Sequence, residues 1–203
     1  MLALTTAALA FAGPAVRAPA RSVAHMSLSD LPGASIELGG KPWDPLGFAK
    51  LNALPTGSGP ASNPSLKWLR EAEVKHCRVA MLAFLGTAFQ TFGPHLPGAA
   101  FSEPDWFKAS YTFSAQNPGG AAQILLGIAI IEGSTFPEEF WEAGGGSRAA
   151  GALGFDPLGL SKGLPKAKAD EMQLKELKNG RLAMIACAAL ASSKLIAGSV
   201  PYL

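Results

Sequence analysis

The chain has 203 residues and a formal net charge of +2; 16% of its residues are charged and 48% hydrophobic. That charge content is well below the roughly 25% of an ordinary soluble domain, and no basic stripe exists to release nucleic-acid counterions, which excludes nucleic acid as a main partner. The length allows one domain with a targeting segment, and 23 glycines with 16 prolines point to long irregular connections between a few helices.

Residues 1–27 are rich in Ala, with Ser, Thr and Arg, and no acidic residue precedes Asp30. This is the composition of a transit peptide, and the apolar start from Leu2 to Phe11 adds a signal-like character. A plastid-targeting leader is expected over 1–27, with His25 inside it, and a single functional domain over 28–203.

Three helices are expected in that domain. The first, about 64–92, opens at Asn63-Pro64, a cap followed by proline at the first helical position, and stops at Gly93-Pro94. The second, about 119–134, follows the breaker Asn117-Pro118-Gly119-Gly120. The third, about 169–198, ends near Gly198 with Pro201 beyond. The long stretch between the first two reads as an irregular loop, with His95 as a loop residue. The first and third helices would each be on the order of 40 Å long at ~1.5 Å per residue, more than a hydrocarbon core of about 30 Å.

Hydropathy leaves the membrane question open. The apolar runs Val79–Phe89, Ile124–Ile131 and Leu182–Ala191 all fall short of the roughly 18 residues of a plain spanning helix. Cys77 and Cys187 sit inside apolar helical stretches and read as small hydrophobes, not as a disulfide framework. Trp68, Trp106 and Trp141, near helix ends or in loops, suit a membrane interface; ordinary packing explains them nearly as well.

An internal repeat is the most informative feature. The first copy is WDPLGF (Trp43–Phe48), a loop, then EVKHCRVAML (Glu73–Leu82). The second is FDPLGL (Phe155–Leu160), a loop, then ELKNGRLAMI (Glu176–Ile185). Glu73 aligns with Glu176, His76 with Asn179 and Arg78 with Arg181 at one constant offset. Two related helices separated by one other imply a pseudo-two-fold pair.

Charged residues in an apolar helix are costly and persist when paired or put to use. Successive residues advance about 100° around a helix, so Glu73 and His76 lie about 60° apart while Arg78 faces the far side from His76. Across a two-fold crossing Glu73 would meet Arg181 and Glu176 would meet Arg78. Ala72, Ala80, Gly180 and Ala183 are small enough for close approach of the helices. Each Glu can accept from an Arg with one oxygen and coordinate a metal with the other. A lone carboxylate, imidazole or amide oxygen makes a poor metal cage, yet each suffices as a single axial ligand. A tetrapyrrole magnesium, hard and needing one more donor, is such a metal.

Glu73-x-x-His76-x-Arg78 and Glu176-x-x-Asn179-Gly180-Arg181, with both Asp-Pro-Leu-Gly turns, resemble the chlorophyll a/b- and a/c-binding light-harvesting family. The resemblance runs from about Trp43 to Ser193, and the length and FDPLGL form are most similar to the algal chlorophyll a/c (fucoxanthin-type) or red-lineage branch. It implies an all-α membrane protein with three transmembrane helices, the first and third crossed about a pseudo-two-fold. It implies chlorophyll a with chlorophyll c and xanthophyll carotenoids as cofactors, the photosystem core and other antenna subunits as partners, and membrane lipid around it.

Residue by residue, the resemblance places Glu73, His76, Glu176 and Asn179 as axial magnesium ligands, with Arg78 and Arg181 bridging to the carboxylates. Gln123 and Glu132 correspond to the middle helix's ligands. The family often carries an Arg three residues after that Glu; Thr135 stands there, which leaves Glu132 uncompensated. A Gln ligand late in the third helix is replaced by Ser193, a weak magnesium donor. The turns' surroundings correspond to xanthophyll end groups. Lys67, Arg70, Lys75 and Arg78 at one helix start, and Lys166, Lys168, Lys175, Lys178 and Arg181 at the other, assign that side to the stroma. The expected location is a plastid thylakoid membrane, multi-pass, with a stromal N-terminus.

The function this implies is transfer of excitation energy to a photosystem, without turnover. A photoprotective quencher of the same family would share every motif. A haem-binding electron carrier with a bis-histidine site needs a second helical His, which is missing. An enzyme is not expected, since no phosphate-binding glycine loop, nucleophile elbow or Cys/His cluster appears.

Overall fold

The computed structural model describes residues 28–33, 39–53, 65–93, 95, 97–98, 101–136, 148–159 and 162–200. The expected leader over 1–27, including His25, lies outside them, as does Trp141. Among the described residues there are four α-helices, the short 3₁₀ segments Leu28–Asp30 and Phe48–Ala53, and no strand. The helices are α1 (Leu66–Phe92), α2 (Trp106–Gln116), α3 (Pro118–Ser134) and α4 (Lys166–Leu195).

The long connection after the first helix is therefore not irregular throughout, because α2 occupies its second half. Asp105 explains the start: its side chain accepts from the Phe107 amide at 3.0 Å and caps the helix. Asn117 ends α2 and at once caps α3, accepting from Gly120 N–H at 3.0 Å, with Pro118 at the first helical position. At α1 the cap is Ser65 and not Asn63; the Ser65 Oγ accepts from the Trp68 amide at 3.1 Å. Helix α4 starts at Lys166 after Pro165 with no side-chain cap.

The core lies between α1 and α4. Val74, Cys77 and Leu177 are buried there, with Met184 packed against them and Ala183 beside them. Cys77 is fully buried against Gly180: a Cβ built on that glycine would lie 2.3 Å from the Cys77 Cβ and 3.0 Å from its Cα. Here the two helices approach closely. Both cysteines are free thiols, and the Cys187 thiol points to the Ala80 carbonyl at 3.4 Å, which adds a second α1–α4 contact.

Helix α3 is different. It buries no residue, and Ile124, Leu125, Leu126, Ile128, Ile130 and Ile131 are each more than half exposed. It touches α1 at its C-terminal end, where the Trp68 and Phe136 rings meet edge to face with centroids 5.9 Å apart. Val79, Leu82, Leu182 and Ile185 on α1 and α4 are exposed to a similar degree. Among the described residues no helix is long and apolar enough to cross a membrane by hydropathy. The reason is compositional: α3 is short, and α1 and α4 carry the charges that tie them together.

Candidate functional site

The site is built on the α1–α4 crossing. Arg78 Nε donates to Glu176 Oε1 at 2.7 Å, and Arg181 Nε donates to Glu73 Oε1 at 2.8 Å. Both expected pairs thus form, each joining one helix to the other. A carboxylate–guanidinium hydrogen bond is short and strong because both partners are ionised. Two such bonds on either side of Gly180 fix the helices in register and cancel the charges the sequence places there.

The two carboxylates are not equivalent. Glu73 Oε2 also accepts from Arg70 Nη1 at 2.6 Å, three residues earlier on the same helix face. Arg181 further donates to the Gly33 carbonyl at 3.3 Å, so the segment at 31–33 lies over this cluster. A cleft of about 570 Å³ opens here, lined by Leu31, Trp43, Glu73, Arg181, Met184 and Ile185 among others. Among the described residues Glu176 pairs with Arg78 alone, through Oε1, and its Oε2 stays available. It borders a smaller cleft of about 210 Å³, beside Gln173, Leu177 and Gly151.

His76 is exposed. Its Nδ1 lies 2.7 Å from the Ala72 carbonyl. A carbonyl can only accept, so Nδ1 is the donor, and in the neutral ring Nε2 is the nitrogen left with a lone pair. Such a bond is how metal-ligating histidines are oriented. Asn179, its counterpart on α4, is likewise exposed, as is Gln123 on α3.

Glu132 departs from expectation. It is not uncompensated: Lys75 Nζ of α1 donates to Glu132 Oε2 at 2.6 Å. The missing cation at position 135 is thus supplied from another helix. Ser193, in the place of a family ligand, gives its hydroxyl proton to the Leu190 carbonyl at 2.8 Å. It lines a cleft of about 820 Å³ between the far ends of α1 and α4 and the start of α2, with Phe84, Phe92, Trp106 and Lys194. His95 is an exposed loop residue.

The first Asp-Pro-Leu-Gly turn is a structural unit. Asp44 accepts from the Phe48 and Ala49 amides, both at 3.0 Å, and so caps the 3₁₀ segment, while Gly47 adopts φ +72°, open to glycine at no steric cost. Gly159 repeats that conformation in the second turn, at φ +64°.

Three charged residues escaped the sequence reading as parts of the site. Arg70 and Lys75 read as members of a positive cluster, yet one clamps Glu73 and the other reaches Glu132. Glu71 is buried, accepting from Arg148 Nη2 at 3.2 Å and from the Gly151 amide, and so fastens the segment before the second turn to α1. Arg70 could have been found from its i, i+3 spacing to Glu73. No local signal marks the other two, whose partners are distant in sequence.

Reciprocal ion pairs that cancel inside a helix crossing, with single outward donors set in bare apolar surface, have the chemistry of a carrier of flat, apolar, metal-centred ligands. The chain belongs to the chlorophyll a–b binding protein family, whose pattern matches residues 27–195. It is 40% identical to a chloroplastic fucoxanthin-chlorophyll a-c binding protein of Chattonella marina var. antiqua over 174 residues, covering 85% of this chain and 72% of the relative. It is 34% identical to a chloroplastic light-harvesting complex stress-related protein of Chlamydomonas reinhardtii, covering 82% of this chain and 63% of that one. A fucoxanthin-chlorophyll a-c binding protein C of Phaeodactylum tricornutum is 34% identical, with 65% and 66% covered.

Proposed function

We propose that this protein is a light-harvesting antenna subunit of a plastid thylakoid membrane that holds chlorophyll a, chlorophyll c and xanthophylls and passes excitation energy to a photosystem. The supporting observation is the α1–α4 crossing, where charges pair inward while His76, Glu176 and Asn179 turn single donors outward. Similarity to relatives named for fucoxanthin and chlorophyll a-c supports chlorophyll c and a fucoxanthin-type carotenoid. Bound chlorophyll supplies the absorbing and energy-transferring states; the chain's part is to set positions and orientations, with no turnover.

The residues fit that group. His76 is exposed with Nδ1 engaged by Ala72, which leaves Nε2 for a metal, Glu176 keeps one oxygen, and Asn179 and Gln123 offer amide oxygens from exposed positions. Glu73, engaged by Arg70 and Arg181, still has lone pairs, since each carboxylate oxygen has two. The exposed aliphatic side chains of α3, α1 and α4 form the bed that porphyrin faces and lipid would cover. In this reading α1, α3 and α4 span the bilayer as three helices, with α1 and α4 a pseudo-two-fold pair. The basic starts of α1 and α4 then face the stroma, and α2 lies at the opposite surface. Residues 1–27 serve as the plastid leader, and the photosystem core and other antenna subunits are the partners.

Purification in mild detergent, pigment extraction and fluorescence excitation test this. Chlorophyll a emission driven by light absorbed by chlorophyll c or carotenoid supports the antenna. A folded protein that retains no tetrapyrrole sinks it. Photoprotective quenching is the second reading, favoured by the similarity to a stress-related relative; a strongly shortened chlorophyll fluorescence lifetime in the isolated protein would support it.

A further inference from the structure

Glu132 is the one charged residue of α3, a helix otherwise built of aliphatic, small and amide side chains. It stands among Ile128 and Ile131, which are exposed, so an ionised carboxylate there has no polar neighbour on its own helix. Thr135, one turn on, offers no charge, and its hydroxyl is spent on the Ile131 carbonyl at 2.8 Å. The cation arrives from α1. Lys75 Nζ takes Oε2 at 2.6 Å, and Oε1 has no partner among the described residues.

The position of Lys75 fits this task. Two residues beyond Glu73, it lies about 200° around α1 from it, and so leaves the α1–α4 crossing and faces α3. An ammonium is a point charge that binds one oxygen, where a guanidinium fork would engage both. One oxygen is neutralised and the other remains a donor.

We propose that Lys75 is the positioning residue of the α3 pigment site: from α1 it pairs with the Glu132 carboxylate, holds its rotamer and aims Oε1 at a chlorophyll magnesium, a role no residue of α3 can fill. The inference rests on the reading of Glu132 as an axial ligand. It makes that site a two-helix site, so the bound chlorophyll also fastens α3 to α1.

The test refolds the full-length chain with pigments extracted from the native membrane. It reads the chlorophyll-to-protein ratio, the absorption difference spectrum and the helical circular dichroism. Glu132→Leu loses one chlorophyll per chain. Lys75→Met, which keeps the side chain's length and apolar stem, loses the same chlorophyll with the same difference spectrum. Two second-site changes then bring it back. Lys75→Met with Thr135→Lys restores a cation one turn from Glu132 on its own helix; Lys75→Met with Glu132→Gln supplies a neutral amide oxygen that needs no counter-ion.

Full pigment in Glu132→Leu would overturn the ligand reading itself. Loss in Glu132→Leu with full pigment in Lys75→Met would overturn the positioning role and leave the ligand reading standing. If Lys75→Met loses the pigment, or fails to fold, and neither double variant recovers it, Lys75 is only a strut between helices and the inference is overturned. Recovery in either double variant upholds it.

Discussion

Glu73 and Glu176 are equivalent in the repeat but unequal in their surroundings. Glu73 is held by Arg181 at one oxygen and by Arg70 at the other, whereas Glu176 has the single pair with Arg78. Removing Arg181 therefore leaves Glu73 compensated, and removing Arg78 strands Glu176. Arg78→Leu is expected to cost more than Arg181→Leu, by up to about 1 kcal/mol for pairs this accessible to solvent. The difference is read as thermal loss of chlorophyll absorption in the two variants; equal midpoints would contradict it. The tight contact at Gly180 sets a second test. A methyl group at Gly180 would overlap Cys77, backbone included, and overpacking of this kind typically costs about 1–3 kcal/mol. Gly180→Ala should lower the melting temperature of the complex, and adding Cys77→Gly should recover part of it. Recovery of nothing would show that the clash lies elsewhere.

Among the elements, α2 is a connector whose end is tied down by charge. Asp105 caps it, and Lys194 at the end of α4 donates to the same carboxylate at 3.2 Å. The Phe107 amide first, and Lys194 second, hold the Asp105 carboxyl below its usual range. A carboxylate with a depressed folded pKa contributes stability that is present above the unfolded pKa of about 3.9 and is lost as pH falls through the folded value. The cap and latch should therefore persist through mild acid and open below about pH 3.9. Trp106 fluorescence against pH checks this: a transition that moves on Asp105→Asn identifies the latch, and one between pH 5 and 6 would refute the assignment. The sequence carries the Asp105 cap signal, but Trp106–Gln116 mixes aromatic and polar residues without a clean helical period, and so it read as loop. The α1–α4 crossing was legible for the opposite reason. Its charged pattern occurs twice, and charges in an apolar helix must find each other. Lys75–Glu132 and Glu71–Arg148 were not legible, because each depends on where a distant segment comes to rest.

At the scale of the whole molecule, direct packing and pigment are expected to share the work unevenly. Helices α1 and α4 bury Val74, Cys77, Leu177 and Ala183 against each other and are joined by two ion pairs, so their pairing needs no bound group. Helix α3 buries nothing and meets α1 through Lys75–Glu132 and, just past its end, Trp68–Phe136. Among the described residues its aliphatic surface stays open, and in the proposed antenna pigment and lipid cover it. Removing pigment should then loosen the molecule in parts. Hydrogen exchange on the detergent-solubilised protein, with and without its pigments, would see amides of 121–134 lose protection by tenfold or more. Those of 74–88 and 177–190, in the α1–α4 pair, would change far less, because local opening follows buried contact. Uniform loss across all three helices would mean that pigment holds the crossing too. Unchanged protection of α3 would mean that its cover is lipid or detergent alone, and would leave Glu132 without a ligand to hold.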